Sequence, residues 1–127
     1  MQRAFTNILS ADVERCANFY QNLLGMTRHF DSDWFIILTH EAILGLELGI
    51  LAQDHEVVPA EINVESGGAI ITFVVEDCDA IHAIALELNA DIIQPPADMP
   101  YGQRRMLLKS PDGMVLDVSA PTAPAPG

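Results

Sequence analysis

Two carboxylates stand out by their place in otherwise apolar segments. In the run Ala42 to Leu48, Leu44, Leu46 and Leu48 alternate onto one face, and Ile43, Gly45 and Glu47 onto the other. In Met114 to Ser119, Met114, Leu116 and Val118 face one way, and Val115, Asp117 and Ser119 the other. Successive side chains of a strand point to opposite faces, so Glu47 and Asp117 should project away from the packed side. By the same parity Phe5 with Asn7, and Ile70 with Thr72, should line a cleft beside them. Two acids held close in a half-buried cleft either attract a cation or push one pKa upward, and a raised carboxyl can act as a general base near neutral pH. Glu47 and Asp117 are therefore the candidate catalytic groups as well as candidate ligand contacts. The competing structural reading has them neutralised by Arg104, Arg105 or Lys109, since ion-pair networks also hold acids in place.

Softer donors show no such arrangement. Cys16, on the apolar face of a first helix, and Cys78, at the start of a second, lack CxxC or Cys/His spacing and read as reduced small hydrophobes. His29 falls in a strand, His40 in a strand turn, His55 in a linker, and His82 beside the helix residue Ile81, so no two form a spaced metal pair. Exposed imidazoles are expected, with His29 or His55 reaching over the cleft as the catalytic alternative. Trp34 and Tyr101 read as pocket or dimer-interface aromatics, Tyr101 because it precedes Gly102 at the mouth of a strand.

The elements that position these residues come as a repeat. Phe5 to Gly25 lines up with Ile70 to Ala90, 65 residues on, each copy reading as a strand, an acidic helix start and an amphipathic helix. In the first copy apolar residues at 13, 16, 17, 20, 23 and 24 make a helical stripe, with Ser10 or Asp12 as N-cap and Gly25 as C-cap. Strands are predicted over 4–9, 26–30, 34–39 and 42–48, giving a βαβββ module over about residues 3–48. Residues 49–68, with Pro59 and Gly67-Gly68, read as a linker. A second module over about 69–119 then repeats the order, with a strand over 69–75, a helix over 79–89, and strands over 91–94, 103–109 and 114–119. The Pro- and Ala-rich tail 120–127 should be disordered. The whole reads as a single α+β domain over 1–127: two βαβββ modules in an open, cupped mixed sheet with helices outside.

Bulk composition narrows the partners. Half of the 127 residues are apolar, enough for a core without staples. The longest apolar runs, such as Phe35 to Leu38 and Ile70 to Val75, fall short of the roughly 18–20 residues of a membrane span, and no signal-peptide pattern follows Met1-Gln2-Arg3. A cytoplasmic protein with no membrane partner is expected. A formal charge of −12 repels polyanions, so no nucleic acid is expected either; the acidity serves solubility or favours cationic ligands.

The helix Ala11-Asp-Val-Glu-Arg-Cys-Ala-Asn-Phe-Tyr-Gln-Asn-Leu-Leu-Gly25 and the closing Tyr101-Gly-Gln-Arg with Ser110-Pro-Asp-Gly-Met-Val-Leu-Asp117-Val resemble signatures of the vicinal oxygen chelate superfamily, which includes glyoxalase I, extradiol dioxygenases, and fosfomycin and bleomycin resistance proteins. In its metal-dependent members the first and last strand of each module supply four ligands, and the resemblance carries these onto Phe5, Glu47, Ile70 and Asp117. Two are carboxylates, but Phe5 and Ile70 have no lone pair to donate. The resemblance thus implies a metal-free, cofactor-free binder of a small, apolar and partly cationic molecule, of the bleomycin-resistance type. Glu47 and Asp117 would complement charge, Phe5, Ile70, Trp34 and Tyr101 supply apolar surface, and Asn7 and Thr72 orient the ligand. The alternative is a glyoxalase-like or dioxygenase-like enzyme using a cleft carboxylate or a metal. A homodimer is also implied.

Overall fold

The computed structural model describes residues 1–62 and 68–122, and the chain divides into two compact units, 1–67 with 111–113 and 68–110 with 114–127. Unit 1 contains strand β1 (Thr6–Ser10), helix α1 (Val13–Leu24), and strands β2 (Thr27–Asp31), β3 (Phe35–His40) and β4 (Ile43–Ala52). Unit 2 repeats the order with β5 (Ile70–Val74), α2 (Cys78–Glu87), β6 (Asp91–Asp98), β7 (Gln103–Lys109) and β8 (Val115–Pro121). The fold is α+β, two βαβββ modules, each with a four-stranded mixed sheet, ordered β1-β4-β3-β2 and β5-β8-β7-β6.

Both helices start the same way. Asp12 Oδ1 accepts from the Arg15 amide at 3.0 Å and Asp77 Oδ1 from the Ala80 amide at 3.1 Å, satisfying a first-turn donor that has no partner within the helix. Asp12 is thus the first N-cap, and Ser10 supports it by accepting from the Asp12 amide. The two ends differ. Gly25 takes the left-handed φ of +70° after α1, whereas Asn89, one position ahead of the residue aligned with Gly25, does so after α2. Asparagine tolerates that region better than most residues.

The core of unit 1 sits on one side of its sheet, where Ile8, Ile36, Leu38, Leu48 and Ile50 meet Cys16, Tyr20 and Leu23 of α1. In unit 2, Met106, Leu108, Leu116 and Val118 pack with Cys78 and Ala85 of α2. Arg28 of β2 ties that edge strand to α1 by a fork onto Glu14 and hydrogen bonds to Asn18 and Gln21.

Three stretches differ from the sequence expectation. Strand β4 runs on to Ala52, into the expected linker, because Ile50 pairs with both Ile8 and Ile36 in the middle of the core. At its other end Leu44 is fully exposed, since Gly45 takes φ +86° and a register shift between Leu38 and His40 breaks the alternation; of the leucine face only Leu48 is buried. Strand β6 continues through Pro95 and Pro96 to Asp98, a course open to prolines only because β6 is a sheet edge with register shifts on both sides of Gln94. Of the expected tail, Ala120 and Pro121 extend β8; residues 123–127, and 63–67 of the expected linker, lie outside the described residues.

Candidate functional site

Each sheet has a second face, opposite its core, and six of the predicted side chains, Phe5, Asn7, Glu47, Ile70, Thr72 and Asp117, lie there. In unit 1, Asn7 pairs with Gly49 and Thr6 with Leu48, which places Phe5 beside Glu47 and one pleat from Asn7. A β-carbon built on Gly49 would stand 2.0 Å from Asn7 Oδ1 and 3.1 Å from Phe35 Cε1. Asn7 therefore lies across the glycine, and the missing side chain gives it room.

Glu47 is not free. Arg3 Nε donates to one carboxylate oxygen at 2.6 Å and Nη2 to the other at 2.5 Å, and the Arg3 guanidinium carbon sits 4.6 Å from the centre of the Phe5 ring. Those hydrogen bonds, with Arg3's charge and a smaller contribution from His29, hold the Glu47 carboxyl below its usual range against partial desolvation. The neutralising partner is thus Arg3, a residue that the sequence reading passed over because it lies in no element. Its signal was weak: a basic residue two positions ahead of a strand aromatic.

In unit 2, Thr72 pairs with Asp117 across β5 and β8. Thr72 Oγ1 donates to one oxygen of Asp117 at 3.1 Å, and Ser119 Oγ donates to the other. Ile70, 60% exposed, is one pleat away on the same face. Arg105, paired with Ser119 across β7 and β8, donates to Gln94 at 3.0 Å and has no ion-pair partner among the described residues. Arg104 turns to the other face, bridging Asp79 and Asp98, so neither arginine neutralises Asp117.

The two acids are not equivalent by the repeat. Thr72 aligns with Asn7, yet Thr72 faces Asp117 while Asn7 faces Gly49; Glu47 belongs instead to the row that in unit 2 holds Val115. They are offset by two residues.

Two predicted contacts lie far from the acids on their own sheets. Trp34 precedes β3 at the end where Phe35 meets Leu51, about 16 Å along the strand from the Glu47 row at ~3.3 Å per residue. One face of its ring is stacked on His55, 3.8 Å between centroids and 15° from parallel. Tyr101 is 61% exposed in the β6–β7 connection, six residues and about 20 Å along the chain from Leu107, the neighbour of Asp117. His55 also has a structural duty, accepting from the Val57 amide, and His40 accepts from the Ala42 amide in its turn.

On the helix side of unit 2 there is also a groove of about 310 Å³, lined by Glu76, Asp77, Cys78, Asp79, Asp98 and Arg104 among others. Sequence alternation did not find it, because its acids come from the α2 start and from β6.

These features define a class: a protein of paired βαβββ modules with polar side chains on the open sheet faces. The family model described as Glyoxalase/Bleomycin resistance protein/Dioxygenase superfamily matches residues 3–118, and the chain belongs to that superfamily. Its fold is shared with a glyoxalase/bleomycin resistance protein/dioxygenase family enzyme from Burkholderia phytofirmans PsJN (TM-score 0.77, 21% identity, 91% of this chain and 95% of that one). A superfamily member from Sphaerobacter thermophilus DSM 20745 is similar (TM-score 0.74, 22% identity, 94% and 97% covered). So is a glyoxalase-related enzyme from Fulvimarina pelagi (TM-score 0.76, 18% identity, 94% and 88% covered). No curated protein matches the chain.

The metal that some members of the superfamily imply does not fit these residues. Phe5 and Ile70 offer no donor, Glu47 is held by a guanidinium, and both Asp117 oxygens accept hydroxyl hydrogens. Among the described residues no three His, Cys, Asp or Glu side chains converge to hold an ion.

Proposed function

We propose that this chain is a metal-free binder of a small, apolar and partly cationic molecule, acting by sequestration as bleomycin resistance proteins do. The observation that carries the reading is the pairing of an acid with apolar surface on each open face: Glu47 with Phe5, and Asp117 with Ile70. Asn7 and Thr72 orient the ligand on the two faces, and the acidic charge of the chain speeds encounter with a cation. The chain works in the cytoplasm as a homodimer; no described helix is long and apolar enough to cross a membrane. In the competing enzyme reading, of lyase, isomerase or oxidoreductase type, a carboxylate removes a proton. The Arg3 hydrogen bonds make Glu47 a weaker base near neutral pH, which favours binding over turnover.

The test is thermal unfolding of chelator-treated protein with divalent metals and with organic cations. A ligand that binds only the folded state raises the melting temperature. Stabilisation by an organic cation, lost in Asp117→Asn, is the expected result. Saturable stabilisation by a divalent metal alone overturns the reading.

A further inference from the structure

The Glu47 carboxylate differs from the other acids that pair with arginine. Its side chain is 15% exposed, whereas those of Glu14, Asp31, Asp79 and Asp98 are 65%, 57%, 58% and 70% exposed. Those four sit in surface clusters that tie one element to another. Glu47 is largely covered, and the cover comes from a segment with no regular structure, residues 1–5. Arg3 meets it fork on fork, one N–H to each oxygen, with the Phe5 ring against the guanidinium. A planar cation is thereby met in two ways, by a bidentate carboxylate along its edge and by the face of an aromatic ring. A compact ammonium can use the ring but has no planar fork to match both carboxylate oxygens.

We propose that Glu47 and Phe5 form a site for guanidinium or amidinium groups, that Arg3 occupies it as a tethered internal ligand, and that a small molecule carrying such a group enters by displacing Arg3. The proposal rests on the cation-binding reading above and gives it a ligand class. Phe5 stays in place when the arm leaves, because the next residue, Thr6, is paired with Leu48. The arm sets a threshold: a ligand binds only the fraction of molecules whose Arg3 is out, so its apparent affinity is lowered by that fraction.

The experiment titrates the full chain with benzamidine and with methylguanidine, following the Arg3 Nε–H resonance and the Thr6 and Leu48 amides by NMR, with benzylamine and tetramethylammonium as cations that lack the fork. Benzamidine is expected to shift all three signals saturably and to return the Arg3 signal to its free position. Arg3→Ala is expected to tighten binding roughly two- to fivefold, as removal of a partly exposed ion pair allows. Glu47→Gln is expected to abolish it, also in the Arg3→Ala background, where no arm competes. Equal benzamidine affinity with and without Arg3, or undiminished binding to Arg3→Ala/Glu47→Gln, overturns the proposal. If benzamidine fails while other organic cations still stabilise the chain through Asp117, the guanidinium site falls and the cation-binding reading stands. If no organic cation stabilises any variant, both fall.

Discussion

Gly49→Ala tests whether Asn7 lies across its neighbouring strand. Gly49 lacks a positive φ, so alanine suits the backbone and, by restricting the unfolded chain, stabilises by about 0.5–1 kcal/mol where nothing obstructs it. Here something does. The new methyl carbon would stand 2.0 Å from Asn7 Oδ1, so that oxygen must retreat by about 1 Å or more, and Phe35 Cε1, at 3.1 Å, must give by a few tenths of an ångström. Asn7 is exposed and can leave, at a rotamer cost of about 0.5–1.5 kcal/mol. The two contributions nearly cancel, so Gly49→Ala alone should move the melting temperature by no more than about 4 °C, since ~1 kcal/mol shifts a chain of this size by about 3–5 °C. In an Asn7→Ala background only the milder Phe35 contact remains, and the same substitution should stabilise. Denaturant midpoints of the four proteins in this cycle should give a coupling of about 1 kcal/mol between the positions. An effect of Gly49→Ala that is the same with and without Asn7 refutes the packing argument, and with it the role of Gly49 in setting Asn7's orientation.

The Arg3–Glu47 pair should be sensitive to acid. Because the folded carboxyl is held below the ordinary glutamate value of about 4.3, its contribution is complete above that value and disappears as the pH falls through the lower folded one. Arg3 Nε–H protection followed downward from pH 6 should outlast the pH at which a free glutamate takes up its proton and vanish only below it, and loss already at or above that pH contradicts the assignment. Both cysteines should resist thiol reagents. Burial and then Asp112 push the Cys16 thiol far up, burial and then Asp79 raise that of Cys78, and a thiol that stays protonated is a poor nucleophile. Ellman's reagent should label neither in the native protein and both in denaturant; prompt native labelling would refute this.

Period and parity carried most of the fold and part of the site. The i, i+3, i+4 stripe and its acidic caps mark both helices, and the alternation in Ile70 to Val74 matches the observed exposure of Ile70, Thr72 and Val74. Alternation failed where the backbone departs from a regular strand: Gly45 with its left-handed φ left Leu44 outside the core, and the β6 edge admitted two prolines. In the site, parity identified the faces of Phe5, Asn7, Glu47, Thr72 and Asp117 but not their registers, so the two acids looked equivalent when pairing offsets them by two residues. Arg3 was illegible for another reason. A side chain held by one distant carboxylate, 44 positions along the sequence, leaves no period to read.

The parallel pairing of β1 with β4 sets an order in time. Strands β2, β3 and β4 are joined by short connections and pair as an antiparallel meander, whereas β1 reaches its partner only across 42 residues, Thr6 to Leu48. Closing a long loop costs entropy before any ladder hydrogen bond returns it, so contacts distant along the chain form late. Phe5 and Asn7 ride on that last strand, while Glu47 waits on the meander. The site is completed at the end of folding, and for part of its life the nascent chain presents it half-built, an acid without its aromatic wall.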